Sequence, residues 1–366
     1  MRILLLGEYS NVHATLAEGL RVLGHKVTVV SNGDFWKNYP RDISLTRKPG
    51  KLGGIQLMLK LYSVLPRLRG YDVVQLINPM FLELKAERIF PVYRYLRRNN
   101  GSMFLGAFGM DWYWVHTCLY DKPLRYSDFN IGSMVRTNED SIKEQRDWLG
   151  TAKETLNKYI ADDCDGIVTG LYEYDVCYRP KFPQKTTFIP YPIRMPADIG
   201  SVDFRPPLKL FIGINRQRHE YKGTDIMLRA AEAVVAKYPG LVCLQKAESV
   251  PFNVYERMME GSDAILDQLY SYTPSMNPLL AMSKGIICIG GGEEENYAII
   301  GENELRPIIN VEPCYESVFR ALENLVIHPE RIAELKRQSR LYVSRHHEYV
   351  KVARRYEELF LKYLRK

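Results

Sequence analysis

An alternation of short β-type runs with amphipathic helical stretches, which occurs twice along the chain, constrains the fold more than any other feature of this sequence. Strands that each lead into a helix before the next strand predict parallel sheets covered by helices. In the first half, each predicted strand contains a short run of apolar residues. These strands cover residues 2–6, 26–30, 72–77, 102–107, 166–169 and 186–189. Helical periodicity connects them near residues 12–23, 55–68, 84–98 and 138–160.

A proline-containing stretch, which runs from Tyr191 to Pro207, separates the two halves. The alternation then resumes, with predicted strands at residues 208–214, 241–245, 264–269 and 286–289 and helices near 224–237, 254–261 and 278–283. Three more helical segments begin near residues 315, 330 and 349. Because 366 residues exceed what one hydrophobic core usually holds, we expect two domains. Their predicted bounds are 1–195 and 196–347, and a last helix at 348–366 packs back on the first domain.

Composition narrows the class of protein. Apolar residues make up 46% of the chain and charged residues 25%, as in globular proteins, and no apolar run is long enough to span a bilayer. Glu8 ends the apolar N-terminal run too early for a signal peptide, so we interpret that run as a strand. The six cysteines form no C-x-x-C pair, which argues against a disulfide framework or a zinc site. We therefore expect a cytoplasmic protein without a metal site.

Positive charge is concentrated in two segments. Residues 331–366 contain eleven Lys/Arg and four Asp/Glu, and residues 41–69 contain seven Lys/Arg with Asp42 as the one acid. Within the second segment, residues 55–62 are apolar with flanking cations, as interfacial helices are. This pattern favours a peripheral contact with an anionic membrane surface at the inner face, and an ordinary helix packed on a sheet is the alternative. No nucleic-acid-binding motif accompanies the charge, so we expect no nucleic-acid partner.

Two candidate site residues follow strands of the first half. Parallel sheets bind ligands at the carboxyl ends of their strands. The turn after the first strand has one glycine, Gly7, so the G-x-G-x-x-G dinucleotide fingerprint is absent, which disfavours a nicotinamide or flavin oxidoreductase. His13 opens the next helix, and Asp111 follows the fourth strand, where a carboxylate can contact an acceptor hydroxyl. A capping or surface role is the alternative for both residues.

Cations follow the first strand of the second half. Arg216, Arg218 and Lys222 precede a helix, and cations beside a helix N-terminus suit a diphosphate. Fixed donors there can also stabilise the charge that grows on a departing nucleoside diphosphate. A solvated basic loop is the alternative interpretation.

Two further loops of the second half are candidates for ligand contacts. Asn277 and Leu279 lie where a loop enters a helix, with Pro278 at a position that suits the first helical turn. Gly292 belongs to three consecutive glycines that allow close backbone approach to a ligand, and Glu294 and Glu295 follow it. These carboxylates can accept hydrogen bonds from sugar or ribose hydroxyls, or they form a solvated helix start.

Taken in order, these residues resemble the large group-1 family of GT-B glycosyltransferases, the retaining type that uses nucleotide-sugar donors. The matching motifs span nearly the whole chain and comprise residues 12–20, G-H-x-V-x-V at 24–30, Gly109-x-Asp111, 165–168, 189–193, Arg216 with Lys222-Gly223, 281–285 and Gly291-Gly292-x-x-Glu295. The resemblance implies an α/β protein with two Rossmann-like, doubly wound domains that face a central cleft. Residues 267–269 resemble a subset found in bacterial surface-polysaccharide clusters.

The chain departs from this family at several positions. Tyr272 and Leu280 stand where the family has the paired glutamates of its E-x7-E motif, and Phe108 stands in place of a histidine. Neither Tyr272 nor Leu280 can act as a carboxylate, so Glu294 or Glu295 is a hypothetical replacement. Arg216 lies six residues before Lys222 and Arg218 four, where the family has a spacing of five.

The resemblance implies transfer of a hexose-type sugar from a UDP- or GDP-sugar to a glycan or lipid-linked acceptor, without a further cofactor. Asp111 and His13 would orient the acceptor and the transferred sugar, while Arg216, Arg218 and Lys222 would stabilise the diphosphate. The missing glutamates keep open a catalytically inactive protein that binds sugar nucleotides or glycans. A phosphorylase or an epimerase on the same fold is a further alternative.

Overall fold

The computed structural model describes residues 1–197, 203–215 and 218–364, which form two compact units. The first unit comprises Met1–Thr117, Glu144–Pro192 and Tyr349–Lys366, and the second comprises Cys118–Lys143 and Ile193–Glu348. We call Cys118–Lys143 the arm. It belongs to the second unit, although it lies in the sequence within the expected first domain. Among the described residues, no helix combines the length and the apolarity needed to cross a membrane.

Two parallel sheets form the centres of the units. In chain order, the strands are β1 (Arg2–Leu6), β2 (Lys26–Ser31), β3 (Ile43–Ser44), β4 (Val73–Leu76), β5 (Ser102–Ala107), β6 (Asn130–Ile131), β7 (Met134–Val135), β8 (Gly166–Thr169), β9 (Thr186–Phe188), β10 (Leu208–Ile214), β11 (Val242–Glu248), β12 (Ala264–Leu266), β13 (Ile287–Gly290) and β14 (Ile309–Asn310). The first unit has the order β3-β2-β1-β4-β5-β8-β9 and the second β11-β10-β12-β13-β14. Strands β6 and β7 form an antiparallel hairpin in the arm.

Helices connect these strands. In chain order they are α1 (Val12–Val22), α2 (Gly50–Val64), α3 (Ala86–Asn99), α4 (Trp112–His116), α5 (Glu139–Trp148), α6 (Ala152–Asp163), α7 (Tyr172–Tyr178), α8 (His219–Lys222), α9 (Thr224–Lys237), α10 (Phe252–Met259), α11 (Met276–Ser283), α12 (Glu294–Ile300), α13 (Tyr315–Ile327), α14 (Ile332–His346) and α15 (Tyr349–Tyr363). Strands β4, β5 and β8 are buried at every position, as expected of parallel strands covered on both faces. The predicted α/β class with two doubly wound sheets is confirmed.

The last helix completes the core of the first unit. Helix α15 packs along α1, and the ring centre of its Phe360 lies 4.9 Å from that of Phe104 in β5. His25 and Glu357 join the end of α1 to α15, with 2.9 Å between Nε2 and Oε1. The C-terminal segment of the chain therefore contributes buried apolar surface to a sheet that is formed by the first half of the sequence.

The second unit has its own core. Apolar side chains of α9 and α13 meet those of β10, β12 and β13, among them Met227, Val234, Leu322, Leu210 and Ile289. Lys336 of α14 donates to the Asp263 carboxylate at 2.9 Å, and Asp263 also accepts the backbone N–H of Lys209. Both side chains of this ion pair are nearly buried. A buried pair of this kind is costly to break because either charge would be left without a partner.

Several local predictions were wrong or incomplete. The single helix predicted at residues 138–160 is divided into α5 and α6, because Gly150 adopts a left-handed φ of 69° and Thr151 caps α6. The strand predicted at 264–269 ends at Leu266. Strands β3 and β14 were missed, since two residues are too short to show a period of alternation. Residues 108–137, for which no helix or strand was predicted, contain α4 and the hairpin.

Two glycine-to-alanine substitutions inside helices are expected to change stability in opposite directions. A Cβ on Gly19 of α1 would lie 2.5 Å from the carbonyl oxygen of Tyr349 and 2.8 Å from the Cβ of Ala353. We expect G19A to lower the free energy of unfolding by about 1–3 kcal/mol, because α15 must move away. G54A in α2 meets its nearest atoms at 3.8 Å and is expected to stabilise by about 0.5–1 kcal/mol. Chemical denaturation of both variants measures the difference, and equal effects would contradict the packing described.

Candidate functional site

Each sheet has one point at which successive crossovers leave in opposite directions. In the first unit this point lies between β1 and β4, and in the second unit between β10 and β12. The loops that follow such neighbouring strands diverge and leave a crevice, where doubly wound sheets bind ligands. The residues after β1, β4, β10 and β12 are therefore the structural candidates for a site.

In the first unit, the crevice begins with a tight contact. Gly7 has a φ of 84°, and a Cβ at this position would lie 2.2 Å from Cγ2 of Ile77, so only glycine fits. Glu8 follows, and its two oxygens accept the backbone N–H groups of His13 and Ala14 at 3.2 and 2.8 Å. Burial raises the pKa of Glu8 to about 8, although these hydrogen bonds oppose the shift. A nearly buried carboxyl group thus holds the start of α1.

His13 is fully buried beside this carboxyl group. Its Nδ1 lies 2.8 Å from the carbonyl oxygen of Gly7, so Nδ1 carries the proton and donates it. Burial lowers the His13 pKa to about 3, which keeps the imidazole neutral. Its Nε2 has no hydrogen-bond partner among the described residues and retains a free lone pair. The predicted surface or capping role does not describe this histidine, which is an uncharged acceptor in the interior.

Asp111 is also fully buried. One oxygen caps α4 by accepting the N–H of Trp114 at 2.8 Å, and the other accepts the hydroxyl of Tyr178 at 2.7 Å. Burial raises its pKa to about 7, while these hydrogen bonds lower it. The capping alternative therefore describes the contacts of Asp111, and its role toward an acceptor stays a prediction.

A cavity of about 690 Å³ opens at the same edge of the first sheet. Gly7, Glu8 and Ile77 contribute to its wall at the crevice. Aromatic and aliphatic side chains form much of the rest, together with Arg47 and other charged groups. His13 and Asp111 are not among the residues that line this cavity.

The crevice of the second unit brings together Lys222, Asp267 and Asn277. Asp267 follows β12 directly, and burial raises its pKa to about 6 despite the attraction of Lys222 and a hydrogen bond with Asn277. The amide of Asn277 also donates to the hydroxyl of Tyr255 at 2.8 Å. The Tyr255 ring covers Gly213 of β10, where a Cβ would lie 2.5 Å from the ring. Tyr255 was not predicted. Asp267 begins the loop that leads to Asn277 and Leu279 and follows a buried strand, but it was not named among the predicted contacts.

The other predicted donor contacts are dispersed. Arg216 lies outside the described residues. Arg218 precedes α8, and its guanidinium lies 4.6 Å from the ring centre of Tyr221. Leu279 has a fully buried side chain, and its N–H donates to the carbonyl of Ser275, so neither group is available to a ligand in this structure.

Packing within the second unit accounts for the adjacent glycines. A Cβ on Gly292 would lie 2.5 Å from Ile308, and one on Gly291 would lie 2.1 Å from the carbonyl oxygen of Ser271. The N–H of Gly292 donates to Asn310 at 3.0 Å. Neighbouring residues of the protein thus approach the backbone of Gly291 and Gly292 too closely for a side chain. This packing alone is a sufficient reason for two consecutive glycines.

The carboxylates after these glycines hold the arm. Arg125 donates to Glu295 and to Glu293, each at 2.6 Å, and its guanidinium lies 4.9 Å from the ring centre of Tyr272. The backbone N–H of Arg125 donates to the Tyr272 hydroxyl at 2.7 Å. Tyr126 also donates its hydroxyl to Glu293. Glu294 instead faces solvent, 3.3 Å from Arg306. Tyr272, at the first glutamate position of the family motif, is therefore a buried anchor for the arm.

A second arginine anchors the other end of the arm. The guanidinium of Arg136 lies 3.4 Å from the ring centre of Tyr270 and donates to the carbonyl oxygens of Glu220 and Tyr221 at 2.8 and 3.1 Å. Together, Arg125 and Arg136 join the arm to the loops that follow β10, β12 and β13. The arm thus covers the carboxyl edge of the second sheet, where Lys222 and Asp267 lie.

Comparison with solved structures identifies the fold. Sucrose-phosphate synthase from Thermosynechococcus elongatus matches with a TM-score of 0.63 and 13% identity, over 99% of this chain and 98% of that one. HepE from Anabaena, solved with UDP and glucose, matches with a TM-score of 0.62 and 12% identity, over 99% and 100%. S. aureus TarM matches with a TM-score of 0.55 and 11% identity, over 82% of this chain and 58% of TarM. No protein-family model and no curated protein sequence matches the chain. At these identities the likeness establishes the fold alone, and the chain has the GT-B fold.

Removal of the Arg125 side chain is expected to loosen the arm. Arg125 is 56% exposed, so the two ion pairs together contribute only about 1 kcal/mol, and R125A should raise amide exchange in the arm about fivefold. R306A is the matched control, because it removes an exposed arginine paired with the neighbouring Glu294. Hydrogen–deuterium exchange of residues 118–143 measures the effect. Equal exchange in R125A and the wild-type protein would show that Arg125 does not hold the arm.

Proposed function

We propose that this chain is a glycosyltransferase that moves a hexose-type sugar from a UDP- or GDP-sugar to a glycan or lipid-linked acceptor, in the biosynthesis of a surface polysaccharide at an anionic membrane. The observation that carries the proposal is the cation at the crevice of the second unit, Lys222, in a chain with the GT-B fold. HepE, which shares this fold over its whole length, was solved with UDP-glucose. That complex makes a UDP-linked donor the first to test.

The chemistry requires stabilisation of a departing diphosphate. As the bond between sugar C1 and the diphosphate oxygen breaks, negative charge grows on the diphosphate and positive charge on the sugar ring. Lys222 and Arg218 supply fixed positive charge at this position in the proposal, with Arg216 as a further donor. A new bond then forms between C1 and the oxygen of an acceptor hydroxyl, and the hydroxyl proton passes to the departing diphosphate. Cationic side chains can neutralise the diphosphate, so the proposal includes neither a metal ion nor a cofactor.

The residues proposed for the sugar and the acceptor belong to the first unit. His13 is neutral and has a free lone pair on Nε2, which suits an acceptor of a hydrogen bond from a sugar hydroxyl. Its charge would not change near neutral pH, so its contribution is orientation rather than proton transfer. Each carboxylate oxygen of Asp111 already accepts one hydrogen bond. A contact with a hydroxyl of the acceptor substrate therefore requires one of these oxygens to accept a second hydrogen bond.

A catalytically inactive binding protein is the second candidate. Tyr272 and Leu280 replace the paired glutamates of the family motif, and Glu295 is occupied by Arg125. A protein that has lost these carboxylates keeps the diphosphate site and binds the donor without turnover. Donor binding together with sugar transfer or donor hydrolysis supports the enzyme, whereas binding without turnover supports this alternative.

Donor binding is expected to depend on Lys222. A ligand that binds only the native state raises the melting temperature, so a screen of UDP-, GDP- and other nucleotide sugars identifies the donor. We expect K222A to weaken donor binding by about ten- to a hundredfold, because a charge-assisted hydrogen bond contributes roughly 1.5–3 kcal/mol. K246A is the matched control, since Lys246 lies on β11 and is paired with Glu232. No shift with any nucleotide sugar, or equal weakening in both variants, would contradict the proposed site.

The donor affinity is expected to fall as the pH rises above 6. Asp267 has a pKa of about 6 in the free protein, and a diphosphate beside it would raise this pKa further. Binding then takes up a proton, so affinity decreases with pH above 6, with a limiting slope of about tenfold per pH unit. D267N should flatten the profile. Calorimetry with a UDP-sugar in two buffers of different ionisation enthalpy measures the uptake, and identical profiles for D267N and the wild-type protein would exclude Asp267.

A further inference from the structure

We infer that α2, together with the turn that carries Phe35 and Trp36, docks the first unit on an anionic phospholipid bilayer. The inference adds a partner surface to the proposed function. Exposed apolar groups, the surrounding positive charge and the position of these groups near one cavity support this docking, independently of the chemistry of the donor site.

Helix α2 is apolar on two opposite sides. Leu57, Leu61 and Val64 are buried and fix one side of the helix to the first unit. The other side carries a solvent-facing stripe at helical spacing, whose members are Leu52 (73% exposed), Ile55 (57%), Leu59 (67%) and Tyr62 (54%). A surface helix normally places polar residues opposite its buried face. A contiguous apolar stripe at this position therefore marks an interaction surface.

A second apolar element is the turn that follows β2. Phe35 and Trp36 are 61% and 64% exposed. Asp34 holds the turn in place, because its carboxylate accepts the N–H of Ser10 at 2.8 Å and the ammonium of Lys37 at 2.6 Å. Exposed aromatic side chains on an anchored turn suit a membrane interface, where tryptophan is enriched.

The positive charge around α2 and the Phe35–Trp36 turn indicates which kind of surface binds there. Residues 43–69 contain no Asp or Glu, and the cations whose side chains the structure describes in this range, Arg47, Lys48, Lys60, Arg67 and Arg69, are all exposed. Asp42, the nearest preceding acid, is paired with Arg21 at 2.7 Å. An apolar stripe bordered by cations matches an anionic lipid surface, since the side chains enter the interface while the cations meet the headgroups.

The turn with Phe35 borders the cavity of the first unit, and α2 lies beside Arg47, a residue that also lines it. Phe35 and Arg47 line this cavity, and Nε of Arg47 lies 3.8 Å from the place of a Cβ on Gly54 in α2. Much of the remaining lining is apolar, including Leu45, Phe81 and Leu84. Docking through α2 and the Phe35–Trp36 turn thus brings the cavity to the bilayer, which favours the lipid-linked acceptor over a soluble glycan. This last step alone rests on the proposed function.

Trp36 provides a direct test with the full-length protein. The other three tryptophans, Trp112, Trp114 and Trp148, are 7%, 4% and 3% exposed, so a change in emission on docking reports mainly on Trp36. We expect co-sedimentation with vesicles of phosphatidylcholine and phosphatidylglycerol in equal parts, release by added salt, and weak binding to phosphatidylcholine alone. Trp36 emission should shift to shorter wavelength and be quenched by brominated phosphatidylcholine in the mixed vesicles.

Surface variants distinguish this docking surface from other basic regions. I55S/L59S is expected to weaken vesicle binding by about tenfold or more, and K60E/R67E by a similar or larger factor because each cation contributes roughly fivefold. The matched control is V22S/L361S, which removes two apolar side chains of the first unit that are 62% and 54% exposed. All of these positions are exposed, so the fold should be retained, and denaturation curves verify this.

Four outcomes would overturn the inference. They are no binding to the anionic vesicles at low salt, equal binding to phosphatidylcholine alone, unchanged Trp36 emission on binding, and equal weakening in I55S/L59S and the control. The first outcome would point to a protein partner for the stripe. Donor binding and donor turnover are measured without vesicles, so failure of membrane docking and failure of the proposed sugar-transfer activity are separate results.

Discussion

The need to cover both faces of two parallel sheets governs the rest of this structure. Parallel strands require helical crossovers of one hand. Because the strands run in the same direction, their carboxyl ends all lie at one edge of each sheet. The loops after β1 and β4, and those after β10 and β12, meet at such edges for this reason. The buried carboxyl group of Glu8 and the partly buried one of Asp267 are found there, because these loops combine polar backbone with neighbours that restrict access of water.

Elements with a strong local pattern could be predicted from the sequence. The bounds of β1, β5, β8 and β10 agree with the predicted strands, since apolar runs between turn residues define them without reference to the rest of the chain. The arm could not be assigned in this way. Arg125 binds Glu293 and Glu295, which are 168 and 170 positions away, and no periodicity records such a contact. No helix or strand was predicted in the arm before residue 138, and neither its unit nor its anchors could be inferred from the sequence.

The candidate site shows a related limit, because one residue pattern is compatible with several physical causes. Consecutive glycines predicted a close ligand, yet the carbonyl of Ser271 and the side chain of Ile308 already leave no room for a Cβ at Gly291 and Gly292. Asp111 has the spacing of an acceptor-side carboxylate, but the same position after a strand is also that of a helix cap. Burial and hydrogen-bond partners separate these alternatives, and both depend on tertiary packing.

The arm gives a structural role to the tyrosine at position 272, where the family that the sequence resembles has a glutamate. A carboxylate at position 272 would place a third acid beside Glu293 and Glu295, whereas the Tyr272 ring instead stacks with the Arg125 guanidinium and its hydroxyl accepts the Arg125 N–H. The cation–π contact, the two ion pairs and the backbone hydrogen bond all favour a segment that stays on the carboxyl edge of the second sheet. Tyr272 therefore holds the arm in place, at a position where a glutamate side chain could instead contact a ligand hydroxyl. Any ligand that binds at Lys222 and Asp267 must bind beside the arm.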